Sequence, residues 1–176
     1  LDGIDLRFLT EPRPLGTAGS VRYAQNWLDD DDLLVISGDC LTDMDLRGLH
    51  AQHRDNDADL TIALARRSDP RNYGVVTVDD SGRVLSMIEK PSWSEVADDT
   101  VNTGVYLVSP RVLSLIPLNE STDWAMDVIP SLLDRGGRVQ GVVMDGYWED
   151  VGSFASYSKA QRDVLDGRVN SEIDAF

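Results

Sequence analysis

The chain has 176 residues, 41% hydrophobic and 27% charged, enough apolar content for one packed domain. Sixteen basic residues against 31 acidic ones leave a net charge of -15, which repels nucleic acid and anionic membranes, so neither is expected as a partner. The single cysteine, Cys40, excludes an internal disulfide and a cysteine-rich zinc site and suits a reducing, cytoplasmic location; no apolar run reaches membrane-spanning length.

Residues 5–10 (DLRFLT) alternate apolar and polar and read as a strand, broken by Pro12 and Pro14. Leu15-Gly16-Thr17-Ala18-Gly19 then opens a helix to about Leu28, with Val21, Ala24 and Trp27 or Leu28 inward. Two glycines around a hydroxyl at a helix start offer exposed N–H groups that can cradle a base or phosphate; a plain connection is the simpler reading. Leu33, Leu34, Val35 and Ile36 form an apolar run, expected as a parallel-sheet strand buried on both faces. Ser37-Gly38-Asp39 follows. It sits where α/β sheets bind ligands, beyond a strand's carboxyl end. Gly38 lets a ligand approach, and Asp39 is equally a helix cap or a ligand for a hard cation.

Asp45 caps a helix over 45–54, with Leu46 and Leu49 inward. His50 and His53 lie in it without a metal-site context and read as solvated. Residues 58–66 predict a central strand, and 73–78 with 83–89 a hairpin ending in Glu89-Lys90-Pro91. Residues 92–101 read as a loop in which Trp93 is a core plug in the first place or a lid residue. Asn102-Thr103-Gly104 precedes a strand at 105–108. Pro110 starts a short helix to about Ile116. Another begins near Asp123, with Met126, Ile129, Leu132 and Leu133 inward and Pro130 kinking or restarting it. Residues 139–144 predict the last strand, and 146–152 a turn. Ser153 caps a helix to about Leu165, with Ala155, Ala160 and Val164 packing. Alternating strands and helices, then hairpins, predict an α/β fold: a Rossmann-like, mostly parallel sheet flanked by helices, with a β-hairpin-rich insertion.

Asp39, Glu89-Lys90, Asn102 and Asp150 all fall at element ends. Two distant aspartates, a lysine and a glycine-rich turn are what phosphoryl-type transfer requires: carboxylates for a divalent cation, a cation for a phosphate, amides for positioning. Each residue taken singly also has a structural reading, as a surface cation or a cap.

Six motifs occur in order: Glu11-x-x-Pro14-Leu15-Gly16-Thr17-Ala18-Gly19, Ser37-Gly38-Asp39-x-Leu41-Thr42-Asp43, Tyr73-Gly74-Val75-Val76, Glu89-Lys90-Pro91, Asn102-Thr103-Gly104-Val105-Tyr106 and Gly146-Tyr147-Trp148-Glu149-Asp150-Val151-Gly152. Together they resemble the sugar-1-phosphate nucleotidyltransferases, most closely the mannose-1-phosphate guanylyltransferases. The resemblance implies transfer of a nucleotidyl group from an NTP, GTP in the first place, to a sugar 1-phosphate such as mannose 1-phosphate, releasing pyrophosphate. Thymidylyl- or uridylyltransfer to glucose 1-phosphate is the alternative, and a non-catalytic regulatory domain another. The resemblance further implies that Asp39 and Asp150 bind Mg²⁺ and that Lys90 holds the sugar phosphate. Glu89, Asn102 and Gly74 would contact sugar hydroxyls. Leu15, Gly16, Thr17, Ala18 and Gly19 would line the base and ribose, with Gly38 beside them. A homo-oligomer is compatible with it. The family's G-x-G-x-x-R phosphate loop is absent from the chain. The expectation is therefore a nucleotidyltransferase domain over 1–166 without its first strand and that loop, inactive alone. Residues 167–176 would be a linker towards a further region such as a left-handed β-helix.

Overall fold

The computed structural model describes residues 5–170. Among the described residues there are eight strands: β1 (Leu33–Ile36), β2 (Cys40–Thr42), β3 (Leu60–Arg66), β4 (Gly74–Val78), β5 (Val84–Glu89), β6 (Thr100–Val108), β7 (Val139–Val143) and β8 (Trp148–Asp150). The helices are α1 (Gly16–Tyr23), α2 (Leu46–Asp55), α3 (Pro110–Leu113), α4 (Ile129–Asp134) and α5 (Phe154–Leu165).

The main sheet runs β5-β4-β6-β3-β7, with β1 also paired to β6. β3 and β7 pair in parallel. β6 runs antiparallel to β1, β3 and β4, and β5 antiparallel to β4. Thus β1, β3, β4 and β7 share one direction, and β5 and β6 oppose it. This is the expected Rossmann-like sheet flanked by helices, in a mixed form.

Side chains alternate across a pleated sheet, and β6 shows the consequence. Val101, Val105 and Leu107 join Ala63, Leu49, Met44 and Trp148 on one face. Tyr106 and Val108 join Ile62, Leu64, Trp124, Ile129 and Leu132 on the other. Two apolar layers therefore sandwich the sheet. Each fully buried leucine or isoleucine, Leu60 and Ile62 among them, contributes about 1.5–3 kcal/mol.

β6 has nine residues and organises the fold. β3 runs along one of its edges. On the other edge β4 meets its start, Val75 opposite Val101, and β1 meets its end, Ile36 opposite Val105. Between β4 and β1 no described strand pairs along Asn102, Thr103 and Gly104; Ser37 N donates to the Gly104 carbonyl at 3.1 Å and Trp148 Nε1 to the Thr103 carbonyl at 3.0 Å. A bulge marks the same place, where the β3 register shifts between Ile62 and Leu64. The Thr103 hydroxyl donates to the Ala63 carbonyl there at 2.7 Å. Gly104 has φ +74°, and a Cβ on it would lie 2.6 Å from Ser37 Oγ. Only glycine fits both constraints.

Several expectations are corrected. Residues 5–10 form no strand. Their alternation is real, but no described strand pairs with them, and Phe8 is 87% exposed. β1 is not buried on both faces or paired in parallel: Leu34 and Ile36 are exposed, and its one partner among the described strands is the antiparallel β6. The first helix stops at Tyr23, followed by a 3₁₀ turn Gln25–Trp27, and Trp27 is exposed. The third helix is shorter, ending at Leu113. Asn102 lies inside β6 rather than before a strand. Trp93 is exposed, under the Arg71 guanidinium at 4.4 Å, and plugs no core. The 146–152 segment contains β8, paired with β2. In α5 the buried positions are Ala160 and Asp163, whereas Ala155 and Val164 face outward.

His53 is also not solvated. It is 1% exposed, one turn after the buried Leu49 on the sheet-facing side of α2. Its Nδ1 lies 2.7 Å from the Thr61 hydroxyl and its Nε2 3.1 Å from Ser109 Oγ. His50 stays partly exposed, 3.4 Å from Asp32. Met126 is 61% exposed. A π-helical turn, Trp124–Val128, precedes α4 and shifts the helical phase so that Trp124 and Val128 turn inward instead. α4 restarts with Pro130 in its first turn, where a missing N–H costs little. Of the expected 167–176 linker, residues 167–170 are described: Val169 is buried, and Asn170 N donates to Asp43 at 2.6 Å. Residues 171–176 lie outside the described part.

Candidate active site

The gap along β6 opens into a cleft of about 720 Å³. Its walls bring together Thr17, Gly38, Asp39, Gly74, Glu89, Lys90, Asn102 and Asp150. These come from six separate parts of the sequence, so the fold makes the convergence that the motifs could only suggest. Leu15, Gly16, Ala18 and Gly19 do not reach the cleft wall.

Asp39 and Asp150 sit at one end of the short β2–β8 pair. Cys40 is directly opposite Asp150, and Val151 N donates to the Asp39 carbonyl at 2.8 Å. Both aspartates are exposed, and neither carboxylate takes a hydrogen bond or ion pair from a described residue. The half-buried Cys40 thiol lies between them, and burial pushes its pKa up, which keeps it a neutral thiol. The donor set is thus two hard oxygen groups. No cluster of three or more His, Cys, Asp or Glu that could hold a metal exists among the described residues. That suits Mg²⁺, which takes one or two carboxylates and completes its shell with water and substrate phosphates; it does not suit an all-protein cage.

The opposite wall carries Glu89 and Lys90. Lys90 has φ +46°, a left-handed conformation disfavoured for a residue with a Cβ. Its N–H donates to the Tyr73 carbonyl at 3.0 Å, which holds the turn, and the residue lines the cleft. The Glu89 carboxyl is pushed up by partial burial; the Lys90 charge opposes this and the Asp123 carboxylate adds to it. Gly74 makes room for that carboxylate, since a Cβ there would lie 2.8 Å from Glu89 Oε2 and 2.6 Å from Met87 Cε. The Asn102 amide is oriented from both ends: Nδ2 donates to the Tyr106 hydroxyl at 2.7 Å, and Oδ1 accepts from Gly104 N at 3.0 Å. Burial pushes the Tyr106 hydroxyl up to about 12, so it stays protonated.

The glycine-rich turn is built differently from expectation. Its N–H groups are not exposed: Ala18 N and Gly19 N both donate to the Thr122 carbonyl, at 2.9 and 3.1 Å. Thr122 N donates back to the Leu15 carbonyl at 2.9 Å. A Cβ on Gly16 would lie 2.6 Å from the Thr122 oxygen, and one on Gly19 2.6 Å from the Glu120 oxygen. The glycines are there because another segment of this chain lies against them. Thr17 alone of the five lines the cleft.

Sequence reasoning missed Asp123, Tyr106 and Cys40 as cleft residues. Asp123 was legible only as a helix cap. Tyr106 falls two and four residues from Gly104 and Asn102 on a period-two strand, which was a usable signal once 100–108 is read as one strand. Cys40 carried none.

The nucleotidyl transferase family model matches residues 2–167, and the chain belongs to that family. It is 33% identical to a mannose-1-phosphate guanylyltransferase of Mycobacterium tuberculosis over 94% of this chain and 46% of that protein. It is 35% identical to a UTP–glucose-1-phosphate uridylyltransferase of Synechocystis over 90% of this chain and 42% of the other. The chain thus spans about half the length of these relatives. Among solved structures it resembles HddC of Yersinia pseudotuberculosis complexed with GMP-PN, with TM-score 0.75 and 25% identity over 89% of this chain and 66% of that one. No described helix is long and apolar enough to cross a membrane.

Proposed function

We propose that the protein carrying this chain transfers a nucleotidyl group from an NTP to a sugar 1-phosphate, giving an NDP-sugar and pyrophosphate. The observation that carries this is the meeting of Asp39, Asp150, Glu89 and Lys90 in one cleft. Carboxylates stand on one wall and an acid–ammonium pair on the other, so charge is available for both phosphates.

Lys90 binds the sugar phosphate, a group already anionic at neutral pH that needs no base to attack the α-phosphorus. Glu89, Asn102 and Gly74 receive the sugar hydroxyls. Thr17 and Gly38 line the nucleotide side. Asp39 and Asp150 hold Mg²⁺, which when bound spreads the negative charge of the reacting phosphates. GTP with mannose 1-phosphate is the first substrate pair, supported by the Mycobacterium tuberculosis relative and by the Yersinia neighbour's nucleotide. UTP or dTTP with glucose 1-phosphate is the competing pair, the UTP reading supported by the Synechocystis relative.

The test is pyrophosphate release by the full-length protein, with Mg²⁺, over GTP, UTP, dTTP and ATP, each with mannose 1-phosphate and glucose 1-phosphate. Turnover with one base–sugar pair above the rest is expected. No release with any pair overturns the reading.

A further inference from the structure

One residue of the cleft is tied to two of its sides at once. Asp123 Oδ2 accepts from the Thr17 hydroxyl at 2.8 Å. Its Oδ1 accepts from Ala125 N and Met126 N at 2.8 and 3.0 Å, capping the π-helical turn. The Thr17 oxygen in turn accepts from Trp124 N at 3.0 Å. The two segments are more than a hundred residues apart, and the Thr122 backbone contacts close the same seam from behind. Thr17, Asp123, Ala125 and Met126 all line the cleft.

Caps normally need one carboxylate oxygen or both for the N–H groups of the first turn. Here one oxygen serves both N–H groups, and the second is given to a distant side chain. The hydroxyl of Thr17 is thereby fixed in direction: it donates to Asp123 and accepts from Trp124 N. Its γ-methyl and its backbone therefore have one orientation towards the cleft. Ala125 and Met126 are fixed by the same carboxylate.

We propose that Asp123 is a positioning residue that clasps the nucleotide side of the cleft, through Thr17, to the π-helical turn, which packs against β5, the strand that ends at Glu89 on the sugar side. Breaking the clasp at Thr17 loosens the nucleotide side alone. Breaking it at Asp123 loosens both. The proposal rests on the nucleotidyltransfer reading above.

The experiment is steady-state kinetics on the full-length protein, with KM measured separately for the NTP and the sugar 1-phosphate. Thr17→Val keeps the shape and removes the hydroxyl. It is expected to raise the NTP KM about tenfold, the scale of one charge-assisted hydrogen bond, and to leave the sugar-phosphate KM within about twofold. Thr17→Ser restores the hydroxyl and should recover the wild-type NTP KM. Asp123→Asn should raise both KM values, and adding Thr17→Val to it should raise the NTP KM no further. A Thr17→Val enzyme with both KM values unchanged, a Thr17→Ser enzyme no better than Thr17→Val, or effects of Thr17→Val and Asp123→Asn on the NTP KM that simply multiply would each overturn the clasp. Those outcomes leave the reaction assignment standing, because the wild type turns over. A wild type without turnover overturns the reaction assignment and the clasp together.

Discussion

The carboxylates of Asp163 and of the cleft pair, Asp39 and Asp150, are treated in opposite ways. Asp163 is 4% exposed and is fully engaged by the protein: the Tyr147 hydroxyl and Lys159 Nζ donate to it at 2.8 Å each, and Arg168 at 3.1 Å. Asp150, three residues beyond Tyr147, is exposed on the cleft wall with Asp39, and no described residue pairs with either carboxylate. A buried charge must be paired to be tolerated, so the engagement of Asp163 is what folding demands. The cleft carboxylates are under no such demand, and water can solvate them. Lys159 is shared between Asp163 and Glu149, at 2.8 Å each, and Arg168 between Asp163 and Asp166, so neither cation reaches the cleft pair. The difference separates charges that hold the fold from charges left free on the cleft wall.

The strongest way to break this contrast is to neutralise the free pair. Asp39→Asn and Asp150→Asn in the full-length protein should each lower turnover by about 100-fold or more, with the unfolding midpoint moved by no more than about 2 °C. A fall in the midpoint with turnover intact would make these aspartates structural.

The next largest effect is its mirror image. Asp163→Asn should lower the unfolding midpoint by about 5 °C and leave both KM values unchanged. The Lys159 hydrogen bond first, then that of Tyr147, holds the Asp163 carboxyl below its ordinary value of 3.8. Its support is therefore complete above the ordinary carboxylate range and is lost as pH falls through the lowered value. An acid-unfolding series below pH 4 should show wild type converging on the variant.

The smallest effect comes from a third polar group, neither charged nor free. Burial pushes the His53 ring below its ordinary value of 6.5, against the pull of Asp32, while His50 and Arg111 add to the lowering. The ring is neutral in the fold. Below about pH 6.5 the unfolded chain takes up a proton that the folded one refuses, so stability falls as pH falls. Unfolding midpoints between pH 7 and 5.5 should show that slope, and His53→Gln should flatten it. An unchanged slope would mean that the ring titrates normally.

Much of this was legible in the chain, for identifiable reasons. β3, β4, β5 and β7 announced themselves by β-branched runs between turn residues, and α2 by Asp45, whose carboxylate accepts from Arg47 N and Gly48 N as a cap should. β2 and β8 did not. Each has three residues, too few for a period, and their pairing spans more than a hundred positions. The glycine-rich turn showed its glycines but not their cause, because the crowding comes from Glu120 and Thr122 rather than from neighbours in sequence. His53 was misread although its spacing from Leu46 and Leu49 puts it on the buried face of α2; what the sequence does not show is that Thr61 and Ser109 supply its polar partners. The cleft acids were legible as motifs, while their freedom from protein partners is a property of the folded surface alone.

The period-two pleat of β6 has a consequence for how this chain can vary. Asn102, Gly104 and Tyr106 occupy one parity of the strand, and Val101, Val105 and Leu107 the other. A slip of one position would exchange Val101, Val105 and Leu107 with Asn102 and Tyr106 between the two faces of the sheet and disrupt both apolar layers. Misregistered molecules would therefore lose core and cleft in the same event, and a fold-competent but site-incompetent register has no stable form to occupy. Along this strand, selection for folding is also selection for the binding surface.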